Sequence, residues 1–304
     1  MPNAMPNLTT IAATEQPQSV LIYGLPFTGK SVLASSLASE GYTVHWFDAD
    51  SSLKTLQTYV PAEHMHNVHY YALPDNKKNP CAIAVVNSIL SGKLTRFCCT
   101  HGTIKCLPCT KESLPFEEVD PRSWAPTDVM VIDSLSQVSD SAKSIATTDL
   151  GEMDKLEFKH YDRWGLRLNI LLSGIMTAPF HVVGIAHAEE MEDEDGKKKL
   201  FPTVGTRNYA PKVMKYFDHS VYTAVVNKKY VAASSAAYNP RIPVGSRSNL
   251  AMETGKITLA DLLRAKPLEG AAPDDVASVQ NEDGSTSVQP KQSNLMASLA
   301  NLKK

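Results

Sequence analysis

Near-continuous apolar runs alternate with segments of helical period from residue 19 to about residue 265. The runs at 19–23, 42–47, 68–73, 128–133 and 180–186 are short and strongly hydrophobic, as strands buried on both faces must be. Between them, 32–38 and 156–176 place apolar residues at helical spacing, and Gly41 follows the first as a C-cap. Strands that alternate with helices predict an α/β fold with a mostly parallel central sheet and crossover helices. Residues 220–226 and 230–233, around Asn227-Lys228-Lys229, predict a closing hairpin.

Two segments break this rhythm inside a core read as residues 18–266. Residues 92–127 are rich in Cys, Pro and charge and form an insert. Residues 189–211 begin with Glu189-Glu190-Met191-Glu192-Asp193-Glu194-Asp195, continue with Gly196-Lys197-Lys198-Lys199, and predict a polar loop. Residues 1–17 read as a flexible arm, and 267–304 as a disordered tail poor in large apolar residues. At its end, Leu295, Leu299 and Leu302 share one face of a short amphipathic helix that Ser293 caps, a shape suited to docking on a partner.

Composition narrows the class. At 304 residues and 43% hydrophobic content, the chain can bury a large core. A net charge of −2 argues against wholesale coating of nucleic acid but leaves room for a local basic groove. No apolar run approaches the roughly 18 residues of a membrane span, and no basic-then-apolar leader opens the chain. The expectation is a cytoplasmic protein without a membrane partner, its cysteines kept reduced.

The candidate chemistry begins after the first strand. Gly24-Leu25-Pro26-Phe27-Thr28-Gly29-Lys30-Ser31 fits G-x-x-x-x-G-K-[ST], the phosphate-binding loop of P-loop NTPases. Gly24 and Gly29 let the backbone turn tightly and aim amides at phosphate oxygens. Lys30 supplies a point charge and Ser31 a hydroxyl for Mg²⁺; Pro26, Phe27, Thr28 and Val32 complete the nucleotide contact set. The run Val129-Met130-Val131-Ile132-Asp133 fits a Walker B strand, whose Asp133 joins Ser31 in holding Mg²⁺. Asp48 and Asp50 end the strand after the phosphate-loop helix and can face the same way; Asp50 is the favoured group to orient or deprotonate an attacking water. His187, after the strand at 180–186, is placed to contact a γ-phosphate.

A second cluster lies in the insert. Cys98, Cys99, Cys106 and Cys109, with His101 among them, fall within a dozen positions. In a reducing compartment such clustering indicates metal rather than disulfides. Cys98-x-x-His101 and Cys106-x-x-Cys109 offer two chelating pairs for tetrahedral Zn²⁺ in a structural knuckle. Cys99 can replace Cys98, or complete a four-Cys set without His101. Cys81 lies in an apolar helical stretch and reads as core.

The phosphate loop, the strand ending WFDAD, the phrase VMVIDSLSQ, the helix near 156–176, HVVGIAH and the 189–211 segment, in that order, resemble the RecA-like P-loop ATPases. The resemblance is to the small phage-type members that act in single-strand annealing and recombination, and it covers residues 18–235. It implies an ATPase stimulated by single-stranded DNA, a homo-oligomeric ring or filament, and location in the host cytoplasm if phage-encoded. Lys30, Asp50, Asp133 and His187 would form the catalytic set. Lys197, Lys198, Lys199, Arg207 and Lys212 would track a DNA backbone, and Arg207 or Lys212 could reach a neighbouring subunit's γ-phosphate. Asp50 stands where the family commonly has Glu, and His187 where the bacterial recombinase has Gln. The tail would recruit a single-strand binding protein. The alternatives are a nucleotide-regulated module that recruits replication proteins and a hexameric helicase-type motor.

Overall fold

The structure, a computed structural model, describes residues 16–151, 154–192, 196–234, 241–247, 252, 257–264, 276–280 and 286–290. The order along the chain is β1 (Ser19–Gly24), α1 (Lys30–Ser35), β2 (Thr43–Asp48), α2 (Leu53–Tyr59), β3 (Val68–Ala72) and α3 (Ala82–Leu90). The insert supplies β4 (Thr95–Cys98), α4 (Leu107–Lys111) and β5 (Phe116–Val119). Then come β6 (Asp128–Asp133), α5 (Leu135–Ala146), α6 (Phe158–Thr177), β7 (His181–Glu192) and β8 (Lys198–Pro202). Strands β9 (His219–Val226), β10 (Lys229–Ala233) and β11 (Gly245–Ser246) and helix α7 (Leu259–Leu263) close this unit, which ends at Ala265.

The main sheet runs β10-β9-β1-β7-β6-β2-β3. All neighbours from β9 to β3 are parallel, and β10 is an antiparallel edge. Alternation within each strand sorts side chains into two layers. Leu21, Tyr23, Met130, Ile132 and Val182 pack on the face covered by α3, α5 and α6, through Val86, Ile89, Val138, Leu168 and Leu172. Val20, Ile22, Val129, Val131, Val183 and Ile185 pack on the opposite face with Ala34, Leu37, Leu56, Leu259 and Leu262. Helix α6 buries His160, Trp164, Leu168, Leu171, Leu172 and Ile175, the three- and four-residue spacing of one helical stripe. Asn227 and Lys228, at φ 50° and 63°, make the turn between β9 and β10, the backbone that a two-residue hairpin demands.

One strand, β7, stands between the phosphate-loop strand β1 and the Walker B strand β6. Register therefore brings distant residues to one carboxyl edge: Gly24 lies opposite His187 and Thr223, and Asp133 opposite Asp48 and Ile185. No helix among the described residues is long and apolar enough to cross a membrane.

One segment differs from the expectations above. Residues 189–211 are not a simple polar loop: β7 continues to Glu192 and pairs antiparallel with β8. Met191 and Phe201 anchor this arm on Ala210 and Met214, so two apolar positions in an acidic run suffice to extend the ladder. The second unit, Lys266–Lys304, contains β12 (Val276–Gln280) paired antiparallel with β13 (Thr286–Pro290). Both runs carry β-branched residues, which favour extended pairing despite the polar surroundings. The arm at 1–15 and the terminal segment at 293–304 lie outside the described residues.

Candidate functional site

The phosphate loop leaves β1 at Gly24 and enters α1 at Lys30. A Cβ on Gly24 would sit 2.5 Å from the carbonyl oxygen of Thr223, so no larger residue fits there. Gly29 has φ 86°, and a Cβ there would come within 3.0 Å of the Tyr230 ring on β10. Thr28 is buried, with its Oγ1 2.8 Å from Thr223 Oγ1; Pro26 and Phe27 point outward, Phe27 being 93% exposed. Val32 is half-buried in α1. Thr223 and Tyr230 were not singled out in the sequence, because neither a strand Thr nor an edge Tyr carries a local signature.

Lys30 is buried, and its Nζ donates to the carbonyls of Gly24 at 3.1 Å and Leu25 at 2.9 Å. Burial pushes its amine below the ordinary value, against the attraction of Asp133 and Asp50. Ser31 Oγ donates to Asp133 Oδ2 at 3.0 Å. Asp133 is pushed up to about 6 by burial; hydrogen bonds from Ser52 and Ser31 work downward, and Asp48 and Asp50 add to the rise. Crowded, buried carboxylate and hydroxyl oxygens are the donor set that Mg²⁺ takes, and Ser31 with Asp133 fits that ion.

The two candidate aspartates after β2 separate clearly. Asp48 accepts from the backbone of Asp50 and Ser52 and from Tyr70 Oη at 2.7 Å, so it fixes the turn. Asp50 reaches across the edge to His187 Nε2 at 3.1 Å. That hydrogen bond holds its carboxyl below the usual range against burial, with help from Ser134 and the Lys30 charge. The His187 backbone N–H donates to Ser136 Oγ at 3.0 Å, Ser136 and Thr203 hydroxyls lie 2.9 Å apart, and Thr203 N–H donates to the His187 carbonyl at 2.8 Å. His187 is thus clamped at the foot of the β7–β8 arm.

The cations expected to meet DNA are less concentrated than the sequence implied. Lys198 donates to Glu190 at 3.0 Å, and Lys197 and Lys199 flank it in the arm. Arg207 and Lys212 are exposed farther along, Lys212 in a short 3-10 turn.

In the insert, Cys98, His101, Cys106 and Cys109 bring one ligand atom each within 4.8 Å of one another. His101 Nδ1 lies 3.1 Å from Cys109 Sγ, 3.6 Å from Cys106 Sγ and 3.8 Å from Cys98 Sγ. Those separations match the edges of a tetrahedron around Zn²⁺ at ordinary bond lengths of roughly 2.0–2.3 Å. Cys99 turns away to Glu117, outside the clustered set of Cys98, His101, Cys106 and Cys109. Burial, then hydrogen bonding to Cys106 and Cys98, pushes the Cys109 thiol up, whereas against burial the backbone hydrogen bonds of Thr103 and His101 hold the Cys98 thiol down. Cys81 is buried against Gly102, outside the set.

Residues 16–241 match the family described as AAA domain. No curated protein matches the chain in sequence. Among solved structures, it is similar to an ATPase from the type III secretion system of pathogenic bacteria, at 10% identity and TM-score 0.42 over 81% of this chain. The match spans 62% of the secretion ATPase's own length, less than two thirds of it. It is also similar to the flagellar accessory protein FlaH from Methanocaldococcus jannaschii, at 11% identity and TM-score 0.35 over 90% of each chain. Both likenesses are distant.

Proposed function

The chain belongs to the AAA domain family of P-loop ATPases, and we propose that it hydrolyses Mg·ATP and couples this to single-stranded DNA in recombination or annealing. The observation that carries the hydrolytic reading is the Asp50–His187 contact at 3.1 Å, formed on the same sheet edge as Lys30, Ser31 and Asp133.

Lys30, now resting on loop carbonyls, would exchange those contacts for the β- and γ-phosphates. Ser31 and Asp133 would hold Mg²⁺, which neutralises charge on the phosphoryl oxygens. Asp50, kept ionised by His187, accepts a proton from the attacking water. The water oxygen bonds to the γ-phosphorus while the bond to the bridging oxygen breaks, and that electron pair leaves with ADP. The clamp of Ser136 and Thr203 on His187 gives a short route from this site to the β7–β8 arm, so a strand bound along Lys197, Lys198, Lys199, Arg207 and Lys212 would bias the position of Asp50. Assembly into a ring or filament, and recruitment of a single-strand binding protein by the tail, complete this reading. Cys98, His101, Cys106 and Cys109 would hold a structural Zn²⁺.

A second reading, a nucleotide-regulated module that recruits replication proteins, draws on the acidity of the arm, where Glu189, Glu190 and Glu192 precede the lysines and Glu190 already occupies Lys198. Turnover of ATP with and without a single-stranded oligonucleotide separates the two. DNA-stimulated turnover that Lys30→Ala abolishes is the expected result. Nucleotide binding with no response to DNA favours the module, and undiminished turnover in Lys30→Ala removes the ATPase assignment.

A further inference from the structure

The insert carries a cavity of about 570 Å³ beside its Cys/His cluster. Arg96, Lys105, Leu107, Cys109, Thr110, Ser113, Leu114 and Phe116 line it. Two of these are cations and none is a carboxylate. Glu118 lies opposite Arg96 in the β4–β5 register but outside the lining. The Arg96 guanidinium lies over the Phe116 ring at 4.8 Å, which makes a flat, cationic wall. Leu107 is 71% exposed at the mouth, a large apolar side chain with no core to join. The loop bearing Lys77 and Lys78 docks on the same module, since Asn79 donates to the His101 carbonyl at 2.6 Å and accepts from Thr103 at 3.0 Å.

We propose that this cavity, rather than the β7–β8 arm, is the principal contact for single-stranded nucleic acid, with a nucleobase against Leu107 and the Arg96–Phe116 wall and the adjoining phosphate on Lys105. The inference rests on the single-stranded DNA reading above and relocates its binding surface. The chemistry favours a nucleic-acid strand over an acidic peptide. A base has a broad flat face for the stacked wall, polar edges for the Thr110 and Ser113 hydroxyls, and a phosphate one bond system away for the second cation. The arm offers the opposite balance, because its first strand ends in Glu189, Glu190 and Glu192, and Lys198 is already bound to Glu190.

The test is fluorescence anisotropy of a labelled oligothymidine of about 15 nucleotides on the full chain, over a range of salt, with and without nucleotide. Arg96→Gln/Lys105→Gln is compared with Lys197→Gln/Lys199→Gln in the arm. The cavity variant should bind at least about tenfold more weakly, and its slope of log affinity against log salt should be shallower by about 0.7, the one phosphate contact on Lys105. The arm variant should weaken binding less than the cavity variant does, a larger loss in the arm variant overturning the inference, and Leu107→Ser should weaken binding with the salt slope unchanged. Zinc content and melting temperature check folding; if the double variant loses either, Lys105→Gln alone is read, with the same change in slope. Binding that the cavity variants leave intact overturns the inference and spares the DNA reading. No binding by any form removes both. Displacement by poly-glutamate as readily as by unlabelled oligonucleotide also overturns the inference, in favour of an acidic protein partner.

Discussion

The nucleotide site and the Cys/His insert are built in opposite ways. The first collects Gly24, Lys30, Ser31, Asp50, Asp133 and His187 from four separate stretches onto one sheet edge, and the strands that carry them are packed on both faces. The second takes all four candidate ligands from a dozen consecutive positions; around them only Cys98, Cys106 and Cys109 cluster, with Leu114 and Phe116 against them, while Phe97 and Val119 tie its two strands to the main core. A site held by a sheet keeps its shape when its ligand leaves, because the apolar packing on both faces of the sheet remains. A site held by its own ligands has little left once the bond at its centre is gone.

The strongest way to break this comparison is to remove metal. Chelation, or Cys106→Ser with Cys109→Ser, should take bound zinc from about one per chain to none and abolish hydrogen-exchange protection across 99–116. Protection at 19–24 and 128–133 should persist; if both regions open together, the insert is part of the core rather than a separate module. Next in size is Asp50→Asn, which should lower kcat by about 10²–10⁴-fold while nucleotide binding and melting temperature hold. Equal losses in kcat and binding would show that Asp50 positions nucleotide instead of serving the water.

Smaller effects sharpen the picture on the sheet side. Tyr230→Ala removes the ring against Gly29 and should raise KM for ATP by about 2–10-fold, the range expected from one lost aromatic contact. An unchanged KM would leave the ring outside the nucleotide pocket. The smallest effect is on pH. His45 and His219 are buried, and burial pushes both below the ordinary 6.5. The unfolded chain then binds more protons than the fold below that value, so stability is lost as pH falls from about 6.5 towards the folded values. Asp133, raised to about 6, works the other way by gaining stability as it protonates, so the check is the difference: the melting temperature of the wild type should fall relative to that of His219→Gln between pH 7.5 and pH 5.5.

The main strands were legible because each is an apolar run long enough to fill two core layers at once; those starting at 19, 68 and 128 begin where the runs do, and β2 is displaced by one residue. The arm was less legible. Its ladder depends on Met191 and Phe201 meeting Ala210 and Met214, a pairing hidden by the acidic residues between them. The contact of Asp50 with His187 has no local signature either, since the two residues meet only because β2, β6 and β7 are neighbours in the sheet.

The sequence by itself determined what depends on covalent spacing: the turn of the phosphate loop, the two chelating pairs of the insert, and the alternation that makes a buried parallel sheet. Only the tertiary structure decided what depends on strand order and side-chain direction. It turned Asp48 into a turn anchor and Asp50 towards His187. It brought Cys98 rather than Cys99 into the cluster, and laid Thr223 and Tyr230 over the loop glycines. The physical reason is that spacing fixes which atoms can meet within a turn, whereas contacts between remote segments are set by the burial of the whole sheet.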